Sequence, residues 1–218
     1  MRLVLDNVEI AAPDGRPLIA ASSLAFGSGV TALLGENGAG KSTLLKTIFA
    51  LHALKGGTIH FGPHDHLRDR RAFLEHAVFM PQNFTAYPEL TGREFLHYFL
   101  RMRGVSKRET RERAGEWLAA VGLEPASEKK TGTYSQGMLQ RLGFAYAMQS
   151  GAALCVMDEP FAGVDPDARA KLTELLFAAS AQRVTLLCTH HVEEMTERGA
   201  ATASVAGGRL SLKAPETR

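Results

Sequence analysis

The sequence contains little cysteine and almost no excess of charge. Its two cysteines, Cys155 and Cys188, lie in the apolar runs "AALCVM" and "VTLLCT". This scarcity argues against a disulfide scaffold and indicates a reducing cytosol, with both thiols in the core; a redox pair is the alternative. The formal net charge of +2 over 218 residues neither indicates nor excludes a nucleic-acid partner.

The sequence also lacks a long apolar run. The uncharged stretch 17–35 is interrupted by Ser22, Ser23 and the turn sequence "GSG", so it predicts strands and a turn rather than a membrane span. Acidic residues interrupt the apolar start "MRLVLDNVEI", which is therefore unlike a signal peptide. With 45% hydrophobic and 22% charged residues, the composition is typical of a globular protein that can bury a core.

Strand patterns alternate with helix patterns along the chain. After a β-rich opening over residues 1–29, the strand "VTALLG" leads directly into a glycine-rich loop and then into "KSTLLKTIFAL", which has helical spacing. Later, the helix pattern "DARAKLTELLFAAS" lies between the apolar runs "ALCVMDEP" and "RVTLLCTHH". Such alternation predicts an α/β fold with a mainly parallel sheet that is covered on both faces.

The middle of the chain is rich in helix signals. Between residues 91 and 122, Ser106 and Glu109 have capping-box spacing, and Gly122 is a plausible helix stop. One apolar stripe is formed by Ala114, Trp117, Leu118 and Val121. We therefore predict a helical lobe over about residues 83–133, within a single domain that spans residues 1–218.

The stretch "GENGAGKST" satisfies the pattern G-x-x-x-x-G-K-[ST] of a phosphate-binding loop. Glycines bring backbone N–H groups against phosphate oxygens, and the helix that follows adds partial positive charge. Lys41 can reach the β- and γ-phosphates, and the Ser42 hydroxyl can bind Mg²⁺. A chance glycine turn is the alternative, but the preceding strand and following helix favour a nucleotide site made by Gly35, Glu36, Asn37, Gly38, Ala39, Gly40, Lys41, Ser42 and Thr43.

Two adjacent acids follow a buried strand in "LCVMDEP". Asp158 could orient Mg²⁺ through water, and Glu159 could polarise an attacking water as general base. A charged strand end without function is the alternative. It is less favoured in a chain that already has a phosphate-binding loop.

These motifs, with four others in order, resemble those of the ATP-binding-cassette (ABC) ATPases from Leu3 to about Leu210. The others are "MPQ" with Gln82, the signature-like "YSQGMLQR", "AGVD" with Asp165, and "CTHHVEE" with His190. The resemblance implies a P-loop NTPase of the ABC type, with a mainly parallel sheet core, an N-terminal antiparallel β part and a helical subdomain.

The resemblance also implies a second subunit and further site residues. Ser135 and Gly137 of one chain would close over ATP held by another, in a head-to-tail homo- or heterodimer. Gln82 would sense Mg²⁺ and water, His190 would contact the γ-phosphate, and Asp165 would contact the partner chain. Simpler alternatives are a plain helix N-cap for Ser135 and a turn for Asp165. His191 should point away from the site.

Two departures from the family pattern stand out. The stretch "VEIAAPDGRPL" lacks the aromatic residue that usually stacks on adenine, a loss of about 1 kcal/mol, so we expect modest discrimination between ATP and GTP. Gln136 and Met138 replace the usual glycine and glutamine of the signature. Because Ser135 and Gly137 remain, we expect ATP hydrolysis to survive.

The leading hypothesis is the ATPase subunit of a membrane transporter, on the cytoplasmic face of the membrane. A separate transmembrane permease would dock on the helical lobe, with Phe84, Tyr87 and Leu90 as candidate contacts, and "LTGREFLHYFLRMRGV" resembles the exporting branch. The alternatives are an ABC ATPase acting on DNA or ribosomes, which usually carries a coiled coil or a second cassette, and a regulatory subunit with little turnover. No nucleic-acid partner is expected.

Two weaker signals favour ordinary surface structure. A metal site at His60, His64 and His66 lacks an evident further ligand, so turn histidines are the better interpretation. The basic stretch 101–113 could touch nucleic acid or lipid headgroups. Glu109 and Glu112 are interleaved in it, however, which favours a solvated helix face.

Overall fold

The computed structural model describes residues 1–214, in two β-sheets and seven α-helices. The strands are β1 (Leu3–Ala11), β2 (Pro17–Phe26), β3 (Gly29–Leu34), β4 (Gly56–Phe61), β5 (His64–Asp65), β6 (Ala77–Met80), β7 (Leu154–Asp158), β8 (Val184–Cys188), β9 (Ala201–Ala206) and β10 (Arg209–Lys213). The helices are α1 (Lys41–Ile48), α2 (Arg70–Glu75), α3 (Gly92–Met102), α4 (Lys107–Ala120), α5 (Gln136–Gln149), α6 (Pro166–Ser180) and α7 (Val192–Glu197). Short 3₁₀ turns occupy Glu124–Ala126 and Thr131–Thr133.

The smaller sheet is antiparallel and has the strand order β2-β1-β4-β5. The larger sheet has the order β10-β9-β3-β8-β7-β6, in which all neighbours are parallel except the edge pair β9–β10. The α/β fold with an antiparallel N-terminal part and a mainly parallel core is therefore confirmed. The hairpin β9–β10 was not predicted, although Gly207 and Gly208 at its turn are a recognisable hairpin signal.

The central strands are apolar throughout because both faces of the larger sheet are covered. On β7, Cys155 and Met157 join the core beneath helices α3–α6, whereas Leu154 and Val156 join the core that the antiparallel sheet and α1 share. The alternation follows from the two-residue period of a strand. Cys188 belongs to the second core, so the two free, buried thiols lie on opposite faces of the sheet, which contradicts the redox-pair alternative.

Helices α3, α4 and α5 pack together after β6. Ser106 begins α4 as predicted, accepting a hydrogen bond from the Glu109 amide at 3.3 Å. A complete capping box begins α3, where the Thr91 hydroxyl accepts from the Glu94 amide and the Glu94 carboxylate accepts from the Thr91 amide. The boundaries of the lobe at residues 83 and 133 stay a prediction. No helix in the described part of the chain has the length and apolarity needed to cross a bilayer.

Candidate functional site

The candidate site lies where the larger sheet presents the carboxyl ends of β3, β7 and β8. These strands are adjacent and parallel, so the loops that follow them meet at one edge of the sheet, where α/β proteins bind ligands. A cavity of about 330 Å³ opens there. Its lining residues are Ala12, Arg16, Leu18, Asn37, Gly38, Gly40, Lys41, Ser42, Thr43, Gln82, Asp158, Glu159, Cys188 and His190.

The loop between β3 and α1 has the backbone that a phosphate-binding loop requires. Gly40 precedes α1 with φ 102°, and no side chain in the described residues caps the helix, so its first N–H groups are available to an anion. Gly35 has φ 148°, and a Cβ there would lie 2.6 Å from the Val205 carbonyl oxygen. Only glycine fits that position.

Backbone carbonyl groups of this loop hold the Lys41 ammonium over it. Nζ donates to the carbonyl oxygens of Gly35 at 2.6 Å and Glu36 at 3.0 Å. The cation therefore lies at the cavity, beside the open end of α1. Positive charge is concentrated where a polyphosphate chain would lie.

Ser42 and Asp158 form a pair of oxygen donors inside the cavity. The Ser42 hydroxyl donates to Asp158 Oδ1 at 3.1 Å across the gap between α1 and β7. Burial raises the pKa of Asp158 above its usual value, and the hydrogen bond from Ser42 opposes that shift. A hydroxyl and a carboxylate are ligand types that suit Mg²⁺, and the Gln82 side chain lines the same cavity, so the donor set fits this ion.

Glu159 and His190 lie beside each other in the lining of the cavity. Glu159 Oε1 lies 3.3 Å from His190 Nε2, and the glutamate side chain is 12% exposed while the histidine is 72% exposed. Glu159 has a φ of 50°, a left-handed conformation that costs about 1–3 kcal/mol for such a residue. The Glu159 carboxylate could polarise a water molecule that is bound beside it in the cavity.

Three contacts with Cys188 and Gln140, two residues that the sequence motifs did not assign to the site, help to fix Glu159. Its amide donates to the Cys188 carbonyl at 2.9 Å, and its carbonyl accepts from Gln140 Nε2 at 2.7 Å. The Cys188 thiol donates to Glu159 Oε1 at 3.8 Å; burial, with the nearby Glu159 carboxylate, raises the pKa of Cys188 to about 12. The sequence signal for Gln140 is its helical spacing, which places it on the same face of α5 as the buried Phe144, although the charged Arg141 follows it directly.

The signature residues do not line this cavity within one chain. Ser135 begins α5, and its hydroxyl accepts from the Met138 amide at 3.2 Å. A Cβ on Gly137 would lie 2.6 Å from the Gly163 carbonyl oxygen, so the start of α5 rests on the backbone of the loop after Glu159. The start of α5 thus packs against its own chain and stands apart from the cavity lining.

Asp165 also lies outside the cavity. It begins α6, and its carboxylate accepts from the Ala168 amide at 2.9 Å. That hydrogen bond holds the pKa of Asp165 below its usual value. An ordinary helix cap explains the contacts that Asp165 makes within one chain.

The remaining histidines lie away from this cavity. His191 Nε2 lies 3.4 Å from Arg169 Nη1, so its ring points away from the site as predicted. His66 is buried against Phe73, and His60 Nε2 lies 3.9 Å from Asp65. Within residues 1–214, no group of three or more His, Cys, Asp or Glu side chains is arranged to hold a metal.

The fold and the cavity together define an ABC-type P-loop ATPase domain. The profile of the ABC transporter family matches residues 22–162, and the chain belongs to that family.

Similar proteins extend this result over nearly the whole chain. It is 35% identical over 196 residues to the phospholipid-transporting ATPase ABCA7 of Homo sapiens, covering 89% of this chain and 9% of that protein. It is 33% identical over 165 residues to the linearmycin resistance ATP-binding protein LnrL of Bacillus subtilis, covering 76% of this chain and 53% of that one.

A solved dimeric ATP-binding cassette, in a post-hydrolysis state with ADP and phosphate, has the same fold with a TM-score of 0.84 at 22% identity. The alignment covers 99% of this chain and 100% of that one.

Proposed function

We propose that the chain hydrolyses ATP as one half of a head-to-tail dimer and that dimer closure drives export through a separate membrane permease. The observation that carries the proposal is the meeting of the loop lysine, the Ser42–Asp158 pair and the Glu159–His190 pair in one cavity. Three separate segments of the chain supply these groups, and each group suits one part of phosphoryl transfer.

The chain's own residues divide the chemistry between binding and water activation. The open N-terminus of α1 and Lys41 hold the phosphates, and His190 donates a hydrogen bond to the terminal phosphate. Glu159 accepts a proton from a water that attacks the γ-phosphorus, after which ADP and phosphate leave. Ser42, Asp158 and Gln82 would hold Mg²⁺, which would supply positive charge that neutralises the phosphate oxygens.

The second half of the site would come from another copy or a related subunit. Ser135 and Gly137 at the start of α5, with Asp165 nearby, are absent from the lining of their own chain's cavity, which supports a role toward a partner's nucleotide. The related solved cassette is dimeric, which is consistent with this arrangement. The same geometry serves a homodimer and a heterodimer.

An exposed aromatic surface on the helical side supports a membrane partner. Tyr87 is 55% exposed and stacks on Phe99, and Tyr98 and Met102 extend the exposed apolar surface along α3. Phe84, in contrast, is 6% exposed and packs against Gly143, so it supports the surface and does not present a contact. We therefore propose Tyr87, Tyr98 and Met102, with Leu90 beside them, as the docking contacts for a permease on the cytoplasmic face.

Export is the direction that the similar proteins favour. One is named for phospholipid transport and the other for resistance to linearmycin. Removal of a compound is the simplest way in which transport confers resistance. Because the chain spans only 9% and 53% of these proteins, cargo and direction remain proposals.

Affinity purification from detergent-solubilised membranes tests the membrane partner. We expect a protein with several membrane spans to co-purify with the tagged chain, and the double variant Tyr87→Ala/Tyr98→Ala to lose it. Leu51→Ala removes an apolar side chain of similar exposure elsewhere and serves as the control. Recovery of ribosomes or DNA in place of a membrane protein would support the alternative ABC function and contradict this one.

A further inference from the structure

The turn between β1 and β2, residues 12–16, borders the cavity and contains no Phe, Tyr or Trp. That turn contributes Ala12 and Arg16 to the lining, and the start of β2 contributes Leu18. We propose that Arg16 binds the base of the nucleotide, with its planar guanidinium stacked on the face of the purine ring. The inference rests on the proposed nucleotide site and names the residue that contacts the base.

The backbone of Arg16 is fixed, so its side chain leaves the turn from a defined point. The Arg16 amide donates to Asp14 Oδ1 at 2.9 Å, and its carbonyl accepts from the Ala12 amide at 2.8 Å. Gly15 has a φ of 86°, and Pro17 restricts the backbone of Arg16, the residue that precedes it. Binding of a base to this side chain therefore costs the protein little backbone freedom, which favours binding.

The guanidinium of Arg16 is available for a ligand. Among the described residues, Arg71, Arg93, Arg113, Arg169 and Arg198 pair with carboxylates, but Arg16 takes part in none of these ion pairs. Arginine is weakly hydrated for a cation and stacks readily on aromatic faces. The exposed Arg16 side chain can therefore meet a purine without first breaking a salt bridge.

The neighbours of Arg16 suit a flat apolar ligand. Ala12 has only a methyl group, so it leaves room for a ring beside the guanidinium. Leu18 is buried and lies directly against the start of α1, since a Cβ on Gly40 would approach its Cβ to 3.1 Å. The base end of the cavity thus has one cationic plane and one apolar wall, while Lys41 lies at the phosphate end.

Stacking on the ring face has a specific consequence for selectivity. A face contact does not read the hydrogen-bonding edge of the base, so adenine and guanine should bind about equally, within roughly threefold. A salt bridge from Arg16 to the phosphates would give the same purine tolerance. The two roles differ in their effect on a ligand without a base.

Calorimetric titration of the full chain with AMP-PNP, GMP-PNP and inorganic tripolyphosphate, each with Mg²⁺, separates these roles. We expect Arg16→Ala to weaken both nucleotides about fivefold and to leave tripolyphosphate unchanged. Arg16→Tyr should restore AMP-PNP affinity, because a neutral ring also stacks. Arg71→Ala removes an arginine far from this cavity and should change nothing.

Two results would overturn the inference. One is an equal loss of tripolyphosphate binding in Arg16→Ala, which would make Arg16 a phosphate ligand. The other is unchanged nucleotide affinity in Arg16→Ala, or an Arg16→Tyr variant that binds as weakly as Arg16→Ala. Failure of the unmodified chain to bind either nucleotide would instead contradict the proposed site as a whole.

Discussion

Helices α1 and α5 both begin at motifs that predict phosphate binding, yet their N-termini are built differently. Gly40 precedes α1 in a left-handed conformation, and no side chain in the described residues caps that end. Ser135 precedes α5 with extended dihedral angles, and its hydroxyl already accepts the Met138 amide. The first end opens into the cavity, whereas the second rests on the backbone of Gly163.

This difference gives the N-termini of α1 and α5 different roles in the proposed dimer. The open end of α1, with Lys41 beside it, can bind a polyphosphate within a single chain. The end of α5 has one donor already satisfied and lies outside that cavity, so its proposed role is to complete a site on another chain. Substitutions in the signature should therefore change the stability of the subunit as well as its activity, whereas those at α1 should act chiefly on binding and hydrolysis.

The largest effect should come from Glu159→Gln, which tests whether the two helix ends meet. We expect ATP hydrolysis to fall by about 10²–10⁴-fold because the general base is lost, with nucleotide binding retained. Light scattering after gel filtration should show a stable dimer with ATP. Glu174→Gln, on the exposed face of α6, is the control. A variant that stays monomeric with saturating ATP would contradict the pairing of α5 with a partner's α1.

Ser135→Ala should lower activity by about 100-fold if the signature hydroxyl stabilises transferred phosphate. It should also lower the free energy of unfolding by about 1 kcal/mol, because the Met138 amide loses its cap. Ser135→Asp keeps a capping acceptor but adds negative charge, so thermal unfolding should be near normal while hydrolysis stays low. Full activity of Ser135→Asp would show that the residue serves only as a cap.

Gly137→Ala should destabilise the subunit by roughly 1–3 kcal/mol, because the new methyl group would overlap the Gly163 carbonyl. Gly115→Ala in α4 is a matched helical control. Its methyl group would meet only the flexible end of Arg93 at 3.3 Å, so stability should be unchanged or slightly higher. Urea unfolding of both variants measures the difference in stability. Equal unfolding midpoints would contradict the close packing of Gly137 against the Gly163 carbonyl.

The smallest effect should be a gain in stability of the nucleotide-free chain in Asp158→Asn. Burial raises the pKa of Asp158, so the folded chain binds this proton more tightly than the unfolded chain and the ionised carboxylate costs stability. Asparagine removes that cost and can still accept from Ser42. The thermal unfolding temperature should rise modestly near pH 7. This gain in stability should disappear as the pH falls below about 3.8, the usual pKa of aspartate. A loss of stability near pH 7 would contradict this account.

The sequence predicted the fold class and the cavity's principal residues because those signals are local. A strand, a glycine loop and a helix follow one another directly around Lys41, and parallel strands bring their carboxyl ends together. The bond between Gln140 and Glu159 joins residues 19 positions apart in different elements, and no spacing rule reports it. The lining role of Arg16 likewise depends on how the antiparallel sheet folds over α1.

Local signals were also missed. Thr91 and Glu94 satisfy the capping-box pattern as clearly as Ser106 and Glu109, and only the first pair forms both hydrogen bonds. Ser135, Gly137 and Asp165 remain predictions in their cross-chain roles, because those roles depend on a second polypeptide. Local patterns therefore did not predict the contacts between distant segments or between chains.

The left-handed backbone at Glu159 has an evolutionary consequence. Asparagine occupies that conformation more easily than glutamate, and the main-chain hydrogen bonds that anchor the position, to Cys188, Gln140 and Ala162, do not involve its side chain. A substitution that abolishes turnover there would leave the architecture intact. A duplicated subunit could therefore lose hydrolysis at this position and still fold and bind nucleotide. A dimer with one inactive subunit could then arise without a compensating change elsewhere in the fold.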